Sequence, residues 1–330
     1  MYPQYPEGIT QKKFNQLIYF KKNWDFSYEK LTQINKEFNL LFKSESFSIV
    51  VSGSYGRMEA CDESDLDYMI LSDDIDDSAI AEIRDNIEKV ATELNINLPN
   101  ITGVFSKTIK VNDLIDKTGS QDDYLCHLAQ RMLLLMETKP IYNKRVFEFT
   151  VNKVFSNYLT MVRDEPEKEA LFLLNDLIRY FRSIAVNYEF NFWKDNDKWA
   201  IRNVKLRHSR VLIYAGLLLL ILNSSKYRKN KYEYLSNRIL LTPIEKIIDV
   251  YLDNNDYNFL KLLDIYDIFL EKISDKNIRN ELRLDYHERH KSPHYHHLKV
   301  SSQSFLNELT RFVFAQKGNW GEQIFEYLIF

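Results

Sequence analysis

The apolar positions change their rhythm along the chain. Up to about residue 120, short β-branched runs lie between stretches of helical spacing; beyond it, only helical spacing is found. Phe14, Leu17 and Ile18, then Leu31, Ile34, Phe38 and Leu41, predict one or two helices over residues 8–43. Ile49, Val50 and Val51 predict a buried strand within residues 46–53, and Tyr68 to Leu71 belong to a second over 66–72. Asp77 and Ser78 can cap a helix from Ala79 to about Leu94, with Ile80, Ile83, Ile87 and Val90 on its apolar face. Pro99 and Gly103 bracket a turn. A third strand is predicted from Val104 to Val111.

From Asp122 onward the pattern predicts helices alone. They cover Tyr124–Thr138 and Arg145–Val162, separated by Pro140, then Glu169–Phe190 and Ile201–Leu222. The second half of Ile201–Leu222 is apolar all round, as in a central bundle helix. Thr242-Pro243 opens a further helix through Leu252, followed by Phe259–Ile273 and Ser304–Phe314. No repeat of 20–50 residues is visible. The pattern therefore predicts a helical segment (1–45) packing on a small α/β layer domain (46–120), then an all-α bundle (121–330). The boundary falls at the Gly-Ser-Gln turn of Lys117–Asp123.

Charge and composition narrow the partners. A net charge of −3 gives no global basic footprint for nucleic acid. Cys61 and Cys126 have no paired spacing, which points to a reducing compartment. The N-terminus lacks a cationic start with an apolar core, and the longest apolar run, Val211 to Leu222, is too short to span a bilayer. A cytoplasmic protein without membrane contact is expected.

The chemistry concentrates at Ser48 to Leu71. A strand runs into Gly53-Ser54-Tyr55-Gly56, and a second strand follows Ser64-Asp65-Leu66-Asp67. Glycines there allow close approach of a phosphate to main-chain N–H groups. Period two puts the carboxylates of Asp65 and Asp67 on one face, opposite Leu66 and Tyr68. Two adjacent carboxylates suit a hard divalent cation such as Mg²⁺.

At these residues the chain resembles the nucleotidyltransferase superfamily that includes DNA polymerase β. The variant GSYGRxE followed by SDLDY looks most like the PII-uridylyltransferase-like branch of bacterial proteins. The resemblance covers about twenty residues and implies an α/β (α+β) nucleotidyltransferase domain with a small mixed sheet. It implies Mg²⁺ (or Mn²⁺) on Asp65 and Asp67, and a nucleoside triphosphate held by Gly53, Ser54 and Arg57. Arg57 has a plainer role available, pairing with Glu59 or Asp62. The superfamily places a third carboxylate on a later strand; FSKTIKV contains no acid, and Asp113 just beyond it is the best candidate, with Asp122 and Asp123 further on. Relatives of this layout close a helical domain over the triphosphate with basic side chains, which would assign Arg202 and Lys205 to the nucleotide.

Three function classes follow. The first is transfer of a nucleoside monophosphate to a hydroxyl on a protein, an RNA end or a small molecule, with pyrophosphate released. The second is a catalytically silent nucleotide-binding regulator on the same fold. The third reads Arg202-Asn203 and His208 as the loose Arg-x(4–6)-His pattern of HEPN ribonucleases. Five histidines between His287 and His297 lack neighbouring cysteines, and Pro293 interrupts helical spacing, so they predict a polar loop before a metal site. A homo-oligomer remains open.

Overall fold

The computed structural model describes residues 2–99, 108–160, 170–194, 198–227, 230–320, 325–326 and 328. The chain forms two compact units, Met1–Gln4 with Asn23–Arg163, and Tyr5–Lys22 with Asp164–Phe330. It opens with α1 (Gln11–Gln16) and α2 (Ile18–Leu41). Residues 5–22 belong with the helical unit, which corrects the expected 1–45 segment. The cause is local: Lys13 Nζ meets Asp264 at 2.6 Å, and Asp267 accepts the Phe20 N–H at 2.6 Å in the first turn of α2.

The first unit is built on a four-stranded sheet in the order β3-β2-β1-β4. Strand β1 (Ser48–Val51) is central, and β2 (Tyr68–Leu71) runs antiparallel to it. Both strands are buried along their whole length, as their uninterrupted apolar runs require. Their register pairs Ser48 with Leu71 and Val51 with Tyr68. The chain leaving β1 therefore lies beside the chain entering β2. Helix α3 (Asp77–Glu93) follows, capped by Asp76, whose carboxylate accepts the Ala79 N–H at 2.8 Å.

Strand β3 (Thr108–Ile109) pairs parallel to β2. The predicted strand began at Val104; residues 104–107 lie outside the described residues. Its predicted end is corrected, because Val111 opens the short helix α4 (Val111–Asp116). The Asp73 carboxylate accepts the Asn112 N–H at 2.8 Å and so supports the helix start.

Helix α5 (Leu125–Met136) leads into a strand that the pattern did not predict, β4 (Lys139–Tyr142), antiparallel to β1 with a register break at Ile49/Val50. Pro140 is tolerated because β4 is an edge strand. Helix α6 (Lys144–Thr160) packs on β1 and β4. The expected boundary at 117–123 is thus displaced to the far end of α6. Asp123 makes a buried bidentate pair with Arg131 of α5 at 2.9 and 2.7 Å, and Arg131 Nε donates to the Tyr158 hydroxyl of α6 at 2.7 Å. That network ties the predicted linker into the first unit.

The second unit is helical. Helix α7 (Leu171–Lys194) and helix α8 (Trp199–Lys205) come first. A π-turn over Leu206–Arg210 then carries the chain into α9 (Val211–Ser224), so the predicted helix 201–222 is continuous but contains one wider turn. Helix α10 (Pro243–Asp253) has the capping box its sequence suggests: Thr242 and Glu245 exchange side-chain and backbone bonds. Helix α11 (Phe259–Ser274) follows. Helix α12 (Pro293–Ala315) begins eleven residues earlier than predicted, because Pro293 occupies its first position under a Ser292 cap rather than breaking it. Among the described residues no helix is long and apolar enough to cross a membrane.

Candidate functional site

The β1/β2 register brings two short segments together. Ser52 ends β1, and its N–H donates to the Asp67 carbonyl at 2.8 Å, extending the ladder. Residues 53–56 then form one helical turn instead of an open loop. On the facing chain, Asp65 bridges Asn97 in parallel, and the Asp67 N–H closes a tight turn on the Asp65 carbonyl at 3.2 Å. Strand β2 itself starts at Tyr68, so the two carboxylates precede the strand instead of lying within it. Burial still alternates as expected: Leu66 and Tyr68 face the core, Asp65 is exposed and Asp67 half-buried.

Gly53 is the contact point between the segments. Its φ is +64°, and a Cβ built there would lie 2.4 Å from Asp67 Oδ2. The missing side chain is therefore needed by the carboxylate as well as by the backbone angle. Gly56 is required differently, since a Cβ there would sit 2.1 Å from the Glu137 carbonyl oxygen. The amides of Gly53, Ser54 and Tyr55 are first-turn N–H groups, which the turn itself does not pair. Ser54 is half-buried, whereas both its neighbours are buried. Gly53→Ala is expected to cost about 1–2 kcal/mol of stability from the left-handed backbone alone and to displace Asp67. Urea denaturation and Mg²⁺ titration of the variant check both effects.

Arg57 makes the ion pair that was its plainer expected role. It is buried, with Nε donating to Glu59 at 2.7 Å and Nη1 to Glu137 at 2.5 Å. It braces the Gly53–Gly56 turn against the residue that ends α5. Ser52 Oγ lies 2.8 Å from Thr138 Oγ1 beside it. Helix α2 holds the next residues: Asn23 Nδ2 donates to the Glu59 carbonyl at 3.2 Å, and Ser27 Oγ accepts the Ala60 N–H at 2.9 Å. Glu137 and Thr138 lie some eighty positions from the motif they support, and no local signal in the sequence marks them.

The approach to β2 is negative: Asp62, Glu63, Asp65 and Asp67 lie within the six residues 62–67 that lead into it, with no Lys or Arg among them. The buried Tyr55 hydroxyl registers the field: burial raises its pKa, and Cys61, Asp62 and Asp65 raise it further. An anion can approach Asp65 and Asp67 only with a compensating cation, and two oxygen-donor carboxylates are a donor set suited to a hard divalent ion. Asp113 does not join them. It lies in the first turn of α4 and pairs with Lys117 at 3.0 Å. Asp123 is taken by Arg131. Among the described residues no three His, Cys, Asp or Glu side chains gather as a metal site.

Residues 18–102 match the family described as Putative nucleotidyltransferase DUF294. The match covers about a quarter of the chain and supports assigning this segment to the nucleotidyltransferase superfamily. The match takes in α2, β1, the Gly53–Gly56 turn, β2 and α3, and so includes Asp65 and Asp67. No curated protein matches the chain.

Gly53, Ser54, Asp65 and Asp67 belong to the first unit, whereas Arg202 and Lys205 belong to the helical unit. Both are half-buried on α8. Beyond them, Ser209 in the π-turn is buried. His208 contradicts the ribonuclease pattern. Its ring is fully buried and stacked on Phe269 at 4.5 Å, and its Nδ1 bonds the Val204 carbonyl at 2.9 Å. Burial lowers its pKa to about 4, so it is a neutral core residue with no access to RNA. The histidines of 287–297 do not converge either: His290 bonds the His287 carbonyl, and His294 lies 3.6 Å from Glu281.

Proposed function

We propose that the nucleotidyltransferase segment transfers a nucleoside monophosphate from a nucleoside triphosphate to a hydroxyl acceptor. The observation that carries this reading is Gly53 abutting Asp67. It places the first turn after β1 against the carboxylate pair at the entry to β2. The residues present fit one Mg²⁺ (or Mn²⁺), with Asp65 and Asp67 as its protein ligands and triphosphate oxygens completing its shell. When bound, that ion would neutralise the triphosphate and draw charge from the α-phosphorus.

The chain's own residues supply position. The Gly53 and Ser54 amides and the Ser54 hydroxyl donate hydrogen bonds to phosphate oxygens. The acceptor oxygen forms a bond to the α-phosphorus as the bond to the bridging oxygen breaks, and pyrophosphate leaves with that electron pair. The acceptor proton is lost to water. Such transfer depends on positioning and charge neutralisation more than on covalent chemistry from the protein. Arg57 contributes by fixing the turn. Asp113, Arg202 and Lys205 carry no step in this reading.

One observation favours a second reading. Because no third acid joins Asp65 and Asp67 among the described residues, the site also suits a regulator that binds nucleotide without turning it over. Incubating the purified chain with each nucleoside triphosphate and Mg²⁺ separates the two. Transfer gives pyrophosphate and a mass increment on an acceptor. The regulator gives calorimetric nucleotide binding and neither product.

A further inference from the structure

The helical unit carries a patch that the proposed transfer does not use. From Lys276 to Lys299 the chain has six Lys or Arg, three Asp or Glu, and five of its seven histidines. With histidines neutral, this stretch is positive by three in a chain that is negative by three. The sign of the local charge is thus opposite to the sign of the whole, and the argument from net charge against nucleic acid does not extend to it.

The fold draws aromatic rings into the same patch. The N–H groups of Ala200 and Ile201, at the start of α8, donate to the carbonyls of Leu284 and Leu282 at 3.1 and 3.0 Å. This brings Trp199 edge-to-face against Tyr286, with centroids 5.0 Å apart. The Arg289 guanidinium lies 3.6 Å from the Tyr286 ring centre and 5.9 Å from that of Trp199. Tyr286 is exposed and Arg289 half-buried. Arg207 approaches from the π-turn: its Nε donates to Asn203 Oδ1 at 3.1 Å, and the same oxygen accepts the Tyr295 hydroxyl at 3.2 Å. Burial raises the pKa of that hydroxyl, and the positive charges of Arg207 and Arg289 oppose the rise.

We propose that this face of the helical unit binds single-stranded nucleic acid. An arginine stacked on an exposed tyrosine presents a π-surface on which an unpaired base can continue the stack. Arg207 and Lys291 add cations beside it for the phosphates. Lys291 is paired with Glu288, but that bridge is exposed and costs little to exchange for a phosphate. A duplex covers its base faces and cannot use the stack, so single strands are the favoured class. The proposal stands apart from nucleotidyl transfer, since binding needs neither triphosphate nor Asp67.

Fluorescence anisotropy of labelled twenty-nucleotide strands with the full chain tests it, with RNA, DNA, a duplex of equal length and phosphatidylglycerol vesicles as separate arms. Single strands should bind with dissociation constants of about 10⁻⁴–10⁻⁶ M near physiological salt and weaken as salt rises. Tyr286→Ala and Arg289→Ala should each weaken binding about fivefold or more, as loss of a stacked base does. Tyr286→Phe keeps the ring and should bind like the wild type. Arg289→Lys keeps the charge and should fall between. Asp67→Asn should bind unchanged, so failure of the transfer reaction does not affect the result. The RNA and DNA arms identify the natural strand. Equal binding of duplex or vesicles, or single-strand binding indifferent to Tyr286→Ala and Arg289→Ala with the fold intact by circular dichroism, overturns the proposal.

Discussion

Asp67→Asn should reduce nucleotidyl transfer by on the order of 10³-fold, at the upper end of what one preorganised electrostatic group contributes. The charge of the site sets the size of this effect. Four acids and no base lie within residues 62–67, which lead into β2, and the substrate itself is a polyanion. Replacing the half-buried Asp67 by its neutral isostere removes half of the carboxylate pair while keeping its shape. Mg²⁺ affinity should fall with it, and the pyrophosphate assay should report a loss in kcat and not only a rise in KM. Stability should hold or rise slightly, because the substitution relieves repulsion between neighbouring carboxylates. Asp65→Asn should follow the same pattern. A variant that loses activity together with its fold would instead mark Asp67 as a structural residue, and thermal melts distinguish the outcomes.

The largest stability effect is expected at Arg57. Its guanidinium is shared by Glu59 and Glu137, and all three side chains are almost wholly buried. Arg57→Met leaves two carboxylates without their cation in the interior. Breaking a buried pair from one side costs about 3–5 kcal/mol, and urea denaturation should show a loss of that size. Glu59→Gln should cost less, because Arg57 keeps Glu137. Activity lost in Arg57→Met should return in part when a second substitution, Glu59→Gln, removes one of the abandoned charges. Had Arg57 held a phosphate, its loss would have changed nucleotide affinity and left stability near the wild-type value.

These two residues also show which parts of the molecule could be read in the sequence. The alternation of Asp65 and Asp67 with the buried Leu66 and Tyr68 is legible from spacing, because strand period and burial are local properties. Caps such as Thr242 and the helices they start are local too. Arg57 is different. Its motif, GSYGRxE, shows the Glu59 partner but not Glu137, which reaches it only after the chain has passed through β3, α4 and α5. Strand β4 was hidden by Pro140, which reads as a breaker until the strand is known to lie at an edge. Pro293 misled in the opposite place, because a proline at the first helical position promotes the helix it was expected to end. The π-turn at Leu206–Arg210 has no sequence signature, and with it went the reading of His208, whose burial against Phe269 is set by packing from α11.

The central claim is that Asp65 and Asp67 serve nucleotidyl transfer, and one measurement addresses it directly. Pyrophosphate release is followed from the purified chain, Asp65→Asn and Asp67→Asn, with the four nucleoside triphosphates and Mg²⁺ in a cell extract freed of nucleotides and passed over a phosphatase-depleting resin. The account predicts release by the wild-type chain above the extract background, abolished by chelation and lost in both variants. Release unchanged by both substitutions would contradict it.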